Sequence, residues 1–541
     1  MADTEIQTDT TTSERTPLIA PTTPKHDAIS SLSGPRILGI VVLMALLIFI
    51  QATNISMMTT AQSEIAADLD AYDQATWFTA SFMIASSSVT PLAGRLSAIF
   101  TPRICLVFSS VILAIGLFIT AAAPSLGFFL LGRAVSGWGC GGLMSITIIL
   151  ALDLASAKRR GLVIGLISSG YTTGISSGAV IAGLLTPIMG WRIIFWIQAP
   201  IALSLGPLLF WAIPPPSNDS NSLTSGNVLA SLARIDYAGA LTLTSGFVLF
   251  LTSLASPEIL LWPIPVSVGL LVSFYFIESR WAQEPIIPVR ILLNRGVLLS
   301  SLAGVGMMMA RWAVVFFTPS YAIAVRGWAP ASAGLILIPT NAGFGSGGLL
   351  VGWLHIRKAG SYYFSSLIIF VLFAAVTAAL AVLSSEDSPA SLYMAMTFLN
   401  GMFAGALVNY TLSHLLYLTN PKLHYIVSAL FTTFRGFAGS FGSAIGGGFF
   451  TRILKGALEE GFAQHGLPPK PDLVRTLLGS PATVGKLTGI EHLIAKQSFE
   501  HAFRMLFMAG CAVALVSAVI QAGTGWTQDH KTEEDSEDET L

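Results

Sequence analysis

The chain has 541 residues, of which 53% are hydrophobic and only 11% are charged. A soluble domain carries about 25% charged residues, so this chain cannot cover a water-facing surface and needs lipid around it. The net charge of −1 gives no reason to expect a nucleic-acid partner. The three cysteines lie in apolar runs and are interpreted as small packing residues, so we expect no disulfide, metal or other cofactor.

The chain begins with a polar stretch rich in Thr, Ser and Pro. This stretch has no apolar segment of the kind that a signal peptide needs, which predicts a disordered cytosolic tail. A membrane-spanning helix needs roughly 20 mostly apolar residues, and fourteen such runs follow. The predicted order is a tail at 1–35, a six-helix half at 36–213, a linker at 214–236, two extra spans at 237–278, a second six-helix half at 279–523, and an acidic cytosolic tail at 524–541. Within the second half, residues 451–502 are expected to form a long non-cytosolic loop.

Charges in the connections between these runs alternate in sign. If the N-terminus is cytosolic, the even-numbered connections lie inside, and they carry most of the basic residues, among them Arg95, Arg103, Lys158, Arg159, Arg160, Arg280, Arg290 and Arg295. The short odd-numbered connections carry mainly acidic residues, among them Glu64, Asp68, Asp70, Asp73, Glu386 and Asp387. Cytosolic loops of membrane proteins are enriched in Lys and Arg, so both termini are predicted to be cytosolic.

Four stretches carry a recognisable pattern. Their members are Gly94, Arg95 and Arg103 after the second span, Arg133 with Gly137, Gly139 and Gly141 in the fourth, Asp153 with Arg160 in the following turn, and Gly174, Gly178 and Gly183 in the fifth. Their order and spacing resemble the fourteen-span drug:proton antiporter branch of the major facilitator superfamily, which includes fungal multidrug and vacuolar basic amino acid transporters. The resemblance covers nearly the whole chain.

The resemblance implies an all-α polytopic membrane protein of two six-helix halves with two extra central helices. It implies secondary active transport of a small organic molecule, a drug, toxic metabolite or amino acid, by alternating access. The transporter would be an exporter or a vacuolar importer coupled to protons, a monomer in the bilayer and not an enzyme. Arg95 and Arg103 would latch the outward-facing state, and the glycines of the fifth span would permit tight packing and bending.

The chain departs from the family pattern at positions that bear on proton coupling. Asn54 stands where the family has an acidic residue in the first span, and Ala98 replaces the loop aspartate. An asparagine cannot take up and release a proton, so coupling needs His414, a carboxylate at a span end, or the substrate itself. These departures keep two alternatives open, an uncoupled facilitator and a transport-deficient sensor or scaffold.

Candidate substrate-site residues are polar groups inside predicted spans. Arg133 is an ionisable group within a span, and such groups are costly and by default functional; the alternative is a buried arginine satisfied by backbone carbonyls. Arg311 lies near the middle of its run, and a cavity with basic groups and no carboxylates favours an anionic or neutral substrate. Asn341 and Asn409 are candidates for neutral hydrogen bonds to substrate, or else for bonds between helices.

The N-terminal tail carries a short sorting pattern. Glu14, Leu18 and Ile19 fit the acidic dileucine form E-x-x-x-L-I, which resembles the signal of fungal vacuolar transporters. Such a signal is an address read by a sorting adaptor rather than an anchor. The predicted location is therefore the vacuolar membrane, with the plasma membrane as the alternative.

Overall fold

The structure is a computed structural model that describes residues 34–154, 160–213, 236–256, 258–282, 287–356, 361–420 and 423–525. Within these ranges the chain is helical and has no β-strand. The first nine helices are α1 Gly34–Ser56, α2 Met58–Asp68, α3 Thr76–Phe100, α4 Pro102–Ala121, α5 Leu126–Leu154, α6 Arg160–Met189, α7 Arg192–Ala212, α8 Tyr237–Ala255 and α9 Pro263–Phe276. The remaining helices are α10 Val289–Leu292, α11 Arg295–Ala324, α12 Pro330–Gly334, α13 Leu337–Leu350, α14 Tyr363–Val382, α15 Ala390–Tyr417, α16 His424–Gln464, α17 Pro471–Gly479 and α18 Gly489–Ala522.

Most of the long helices coincide with apolar runs of the sequence. Within the described residues, 10 helices are long and apolar enough to cross a membrane, which confirms the class of polytopic α-helical membrane protein. The count of fourteen spans stays a prediction.

Helices α1 to α7 pack together into what we call the first group. Helix α5 lies between α3 and α4, α1 packs on α6, and α4 packs on α7. Glycine allows the closest approaches: a Cβ at Gly139 would lie 2.5 Å from the Leu113 backbone nitrogen. Without a hydrophobic drive between helices in lipid, such close packing of small residues is what holds spans together.

Helices α11 to α18 pack into the last group. Helix α11 contacts α16 and α18, α13 packs along α15, and α14 lies between α15 and α18. A buried aromatic stack near the ends of α16 and α18 involves Phe450, Phe499 and Phe503, with Phe450 and Phe503 centroids 4.7 Å apart. Helices α8 and α9 pair with each other, and α8 also contacts α3 and α16.

The segment 451–502 differs from the predicted loop. Helix α16 continues to Gln464 and α18 begins at Gly489, with α17 and a 3-10 turn at Pro481–Lys486 between them. Most of the segment is therefore helical. A short helix such as α17 was expected from the amphipathic parts of this segment, but the extensions of α16 and α18 were not, because their charged surfaces do not form apolar runs.

We call the end of the bundle where α1 begins and α18 ends the terminal end; the opposite end, which carries 465–488, is the loop end. Contacts between the two groups run from the middle of the bundle to the loop end. Midway along α3, the Ser87 and Ser440 hydroxyls lie 2.6 Å apart. Towards the loop end, a Cβ at Gly183 would lie 2.5 Å from the Ala331 nitrogen. The loop end is therefore closed.

Candidate functional site

Arg133 is fully buried in the middle of the first group. Its Nε donates a 2.9 Å hydrogen bond to the Phe78 carbonyl oxygen of α3, and its Nη1 donates to Oδ1 of Asn54 in α1. The guanidinium lies over the Phe82 ring, 4.4 Å from the centroid, a geometry that stabilises a cation. Nη2 has no hydrogen-bond partner among the described residues. Three helices thus converge on one positive charge.

Asn54 extends this network into a third partner helix. Its Nδ2 donates to Oε1 of Gln198 in α7 at 3.3 Å, and Gln198 Nε2 lies 3.3 Å from the Met57 sulfur. The amide at position 54 therefore orients Arg133 with a neutral acceptor, where the family pattern has a carboxylate. Gln198 was not predicted, because its partner lies 144 positions away along the chain and no local motif marks it.

Arg311 is the corresponding buried cation of the last group. It is 3% exposed, and its Nη2 donates to the Thr340 carbonyl oxygen at 3.1 Å and to Oδ1 of Asn341 at 3.3 Å. Nη1 has no partner among the described residues. A long side chain in a span can also carry its charge out to an interface, but the buried position of Arg311 does not fit that arrangement.

Asn341 connects Arg311 to the other group. Its Nδ2 donates to Oγ of Ser176 in α6 at 3.2 Å, and to the Leu337 carbonyl oxygen at 2.9 Å. A single amide therefore contacts the Arg311 guanidinium and the opposite group at once. If the two groups moved against each other, the hydrogen bond between Asn341 and the Arg311 guanidinium would change.

Asn409 and His414 occupy structural positions within the last group. Asn409 Nδ2 donates to the Gly348 carbonyl oxygen at 3.0 Å and so joins α15 to α13. His414 is fully buried, with Nε2 3.0 Å from the Thr524 hydroxyl and no described partner for Nδ1. Asn409 thus joins two helices, and His414 joins α15 to the residues that follow α18.

The motif residues lie at helix ends and close helix contacts. Arg103 donates to the Ile213 carbonyl oxygen at 3.3 Å and lies 4.0 Å from the Phe210 ring centroid, which keeps it within the first group. Gly94 has open space around it. The side chains of Arg95, Asp153 and Arg160, and the sorting residues Glu14, Leu18 and Ile19, lie outside the described part of the chain.

The glycines of α6 divide between the two groups. Gly174 and Gly178 face α1, where an added Cβ would lie 2.7 Å from the Phe49 and 2.6 Å from the Thr53 carbonyl oxygens. Gly183 faces Pro330 and Ala331 of the last group instead. One helix therefore uses glycine both for packing within its group and for closure between groups.

The electrostatic character of the site is positive. Among the described side chains, no carboxylate forms an ion pair with Arg133 or Arg311. The described residues also contain no cluster of three or more His, Cys, Asp or Glu that could hold a metal. The arrangement can bind a substrate through charged hydrogen-bond donors.

A polytopic helical bundle with buried charges between its helices has the features of a membrane transporter, and comparisons define the family. The profile of the Major Facilitator Superfamily matches residues 44–443, so the chain belongs to this superfamily. The chain is 27% identical over 491 residues to the multidrug resistance protein fnx1 of Schizosaccharomyces pombe, covering 88% of this chain and 89% of that protein. It is 27% identical over 444 residues to the efflux pump FUS6 of Gibberella moniliformis, covering 79% and 76% of the two chains.

Solved structures agree on the fold. A bacterial homologue of the human lysosomal transporter Spinster, in an inward-facing and occupied conformation, superimposes with a TM-score of 0.62 at 13% identity, covering 92% of this chain and 100% of that chain. The chain is a secondary transporter of a family whose members move small molecules and are not enzymes. The predicted fold class and family are thereby confirmed.

Proposed function

We propose that the transporter moves a small neutral or anionic organic molecule by alternating access, with Arg133 and Arg311 at its binding site. The observation that carries the proposal is the pair of buried guanidiniums, one in each group, each with neutral partners and one nitrogen left without a described partner. Charge-assisted hydrogen bonds are roughly twice as strong as neutral ones. A carboxylate, phosphate or polarised carbonyl of a substrate would satisfy these donors.

The first and last groups would be the two halves that rock against each other. Their contacts at the loop end support a state that opens towards the terminal end. With both termini in the cytosol, as the charge alternation predicts, this state would load substrate from the cytosol. Release would then follow at the cell surface or into the vacuole.

The names of the relatives favour export. A multidrug resistance protein and an efflux pump support a drug or toxic metabolite as the substrate class. Amino acid loading of a vacuole remains the second candidate, since it rests on the sorting pattern in the tail. The lack of a described carboxylate beside the buried arginines makes a polycation an unfavourable substrate for either role.

Flux through purified protein in liposomes tests the proposal. We expect saturable uptake of anionic or neutral compounds from a panel of drugs, fungal metabolites and amino acids, measured with and without an imposed pH gradient. Gradient-driven uptake would support an antiporter, and uptake indifferent to pH an uncoupled facilitator. The absence of any flux across the panel would favour the sensor or scaffold.

His414 is the first residue to test if protons are coupled. It is the only fully buried histidine within the described helices, and Asn54 removes the family's titratable group from the first span. Replacing His414 by Asn should abolish gradient-driven uptake while substrate exchange without a gradient continues. Unchanged gradient dependence would assign His414 to helix packing alone.

A further inference from the structure

The connection between α16 and α18 crosses the loop end, and we call residues 465–488 the strap. Its inner face is anchored to the last group, because Val474, Leu477 and Val484 are buried in the same cluster as Phe462 and Phe499. The strap therefore moves with the last group. Its other face reaches the first group at the turn between α2 and α3.

Arg475 of the strap makes three bonds to that turn. Its Nε donates to Oδ2 of Asp73 at 2.6 Å, its Nη1 to Oδ1 of Asp70 at 2.9 Å, and its Nη2 to the Asp70 carbonyl oxygen at 2.9 Å. A guanidinium presents its donors in a fixed planar fork, so one side chain satisfies two carboxylates and a carbonyl together. These hydrogen bonds to both aspartates raise the pKa of Arg475.

The backbones of the strap and the turn also approach each other closely at this contact. A Cβ at Gly479 would lie 2.5 Å from the Tyr72 carbonyl oxygen, and Gln62 Nε2 donates to the Gly479 carbonyl oxygen at 3.4 Å. Asp70 has a φ of +46°, a left-handed conformation that aspartate adopts more readily than most residues. The turn and the strap therefore meet through backbone contacts as well as through the Arg475 side chain.

The other described ion pairs at the loop end stay within one group. Arg192 pairs with Asp68 at 2.6 Å inside the first group, and Lys496 pairs with Glu386 inside the last group. The ion pairs of Arg475 are different because they join the two groups. Opening of the loop end must break them.

We propose that Arg475, Asp70 and Asp73 form a latch that holds the loop end closed and sets the ratio of the two access states. The inference rests on alternating access as proposed above. Exposed ion pairs are individually weak, so the latch biases the equilibrium without locking it. A transporter that cycles needs a contact of this modest strength, since a much stronger one would trap a single state.

A distance measurement in lipid nanodiscs tests the latch without requiring transport. Spin labels are placed at Ala67 of the first group and Ala463 of the last group, which are both exposed, in a background in which Cys105, Cys140 and Cys511 are alanine. Double electron–electron resonance then gives the distance distribution across the loop end. We expect Arg475→Ala to raise the ratio of long to short distances by roughly threefold to tenfold.

Lys496→Ala is the matched control, because it removes an ion pair of the same end that stays within one group. Its distance distribution should equal that of the parent. Gly479→Ala, which adds a Cβ against Tyr72, should open the loop end without changing any charge. Raising the salt concentration should lengthen the distances in the parent and leave Arg475→Ala unchanged, since salt screens exposed ion pairs.

An Arg475→Ala distribution equal to that of the Lys496→Ala control would overturn the latch. The measurement also separates the latch from the proposed function. A shifted distribution in protein that moves no compound would support the latch and contradict transport, whereas flux with an unshifted distribution would do the reverse.

Discussion

Arg133 and Arg311 place charges where insertion of an isolated arginine costs about 2.5–3.5 kcal/mol. The Phe78 carbonyl, Asn54 and the Phe82 ring offset part of this cost for Arg133. Arg311 is supported by the Thr340 carbonyl and Asn341. These neutral partners do not cancel the charge of either guanidinium. Each site therefore retains a positive potential to which an anionic or dipolar group of a substrate can bind.

Replacing Arg133 by Ala should reduce flux by about tenfold to a hundredfold, because a hydrogen bond to a charged group contributes about 1.5–3 kcal/mol. Arg133→Lys should also fail, because an ammonium cannot reproduce the fork that reaches both Phe78 and Asn54. Uptake into liposomes per mole of folded protein is the measurement. Arg280→Ala, at an exposed position, is the control, and full flux in Arg133→Ala would remove this residue from the site.

The Glu64 carboxyl on α2 predicts how the stability of the folded protein changes with pH. Burial raises the pKa of its carboxyl above the ordinary 4.5, and Lys486 of the strap lowers it in part. The folded state therefore binds more protons than the unfolded state just above pH 4.5, and stability falls as pH rises through that window. Glu64→Gln should flatten this dependence of the melting temperature, whereas exposed Glu459→Gln should not. If the pH dependence of the melting temperature changed equally in both variants, it could not be assigned to the Glu64 carboxyl.

Both arginines were predictable as site candidates, because a charged residue within an apolar run can be recognised from the sequence alone. The residues that contact them could not be recognised in the same way. Gln198 and Ser176 are ordinary polar residues, and only the packing of α7 on α1 and of α6 on α13 brings them to the charges. Asn341 was predicted as a site residue, and that prediction stays open, but its bridge between the groups could not be seen in the sequence.

The glycines of helix α6 have two different packing roles. Gly178 meets α1 of its own group, and Gly183 meets the first residues of α12 in the other group. The first contact is present in every state of the transporter if the group moves as a body. The second exists only while the loop end is closed.

Gly178→Ala and Gly183→Ala should therefore have different effects. The first should lower stability by about 1–3 kcal/mol, as overpacking of a close contact does, with a lower melting temperature in detergent. The second should leave the melting temperature nearly unchanged and open the loop end, read by the same spin-label pair. Gly269→Ala, with open space around it, is the control. Equal melting losses at both positions would show that the two contacts have the same role.

At the scale of the whole molecule, hydropathy predicted the order of the apolar helices and missed the architecture of 451–502. Spans are visible because roughly 20 apolar residues must cross the lipid. The strap and the extensions of α16 and α18 lie outside that constraint, and their charged surfaces resemble a loop in the sequence. Their packing depends on aromatic contacts such as Phe450 with Phe503, which only the fold brings together.

The sorting pattern in the tail supports a prediction about location. Glu14, Leu18 and Ile19 lie outside the described residues, so the prediction rests on the sequence. Replacing Leu18 and Ile19 by alanine should move a fluorescent fusion from the vacuolar membrane to the cell surface. Glu5→Ala is the control within the same tail, and a vacuolar signal that persists in the double variant would contradict the adaptor role.

The orientation of the whole bundle is predicted by the charge alternation of the connections, and arginines at the terminal end agree with that prediction. Arg36 donates to the Ala212 carbonyl oxygen and Arg295 to the Gly523 carbonyl oxygen, each at 2.9 Å. Cations stabilise the negative C-terminal ends of helices, and the cytosolic face of a membrane protein is enriched in Lys and Arg. Protease added to sealed, right-side-out vesicles should therefore spare epitope tags at both termini and cleave a site inserted after Gly466 in the strap. Cleavage of either terminal tag before permeabilisation would reverse the predicted topology, and with it the expectation that the structure loads substrate from the cytosol.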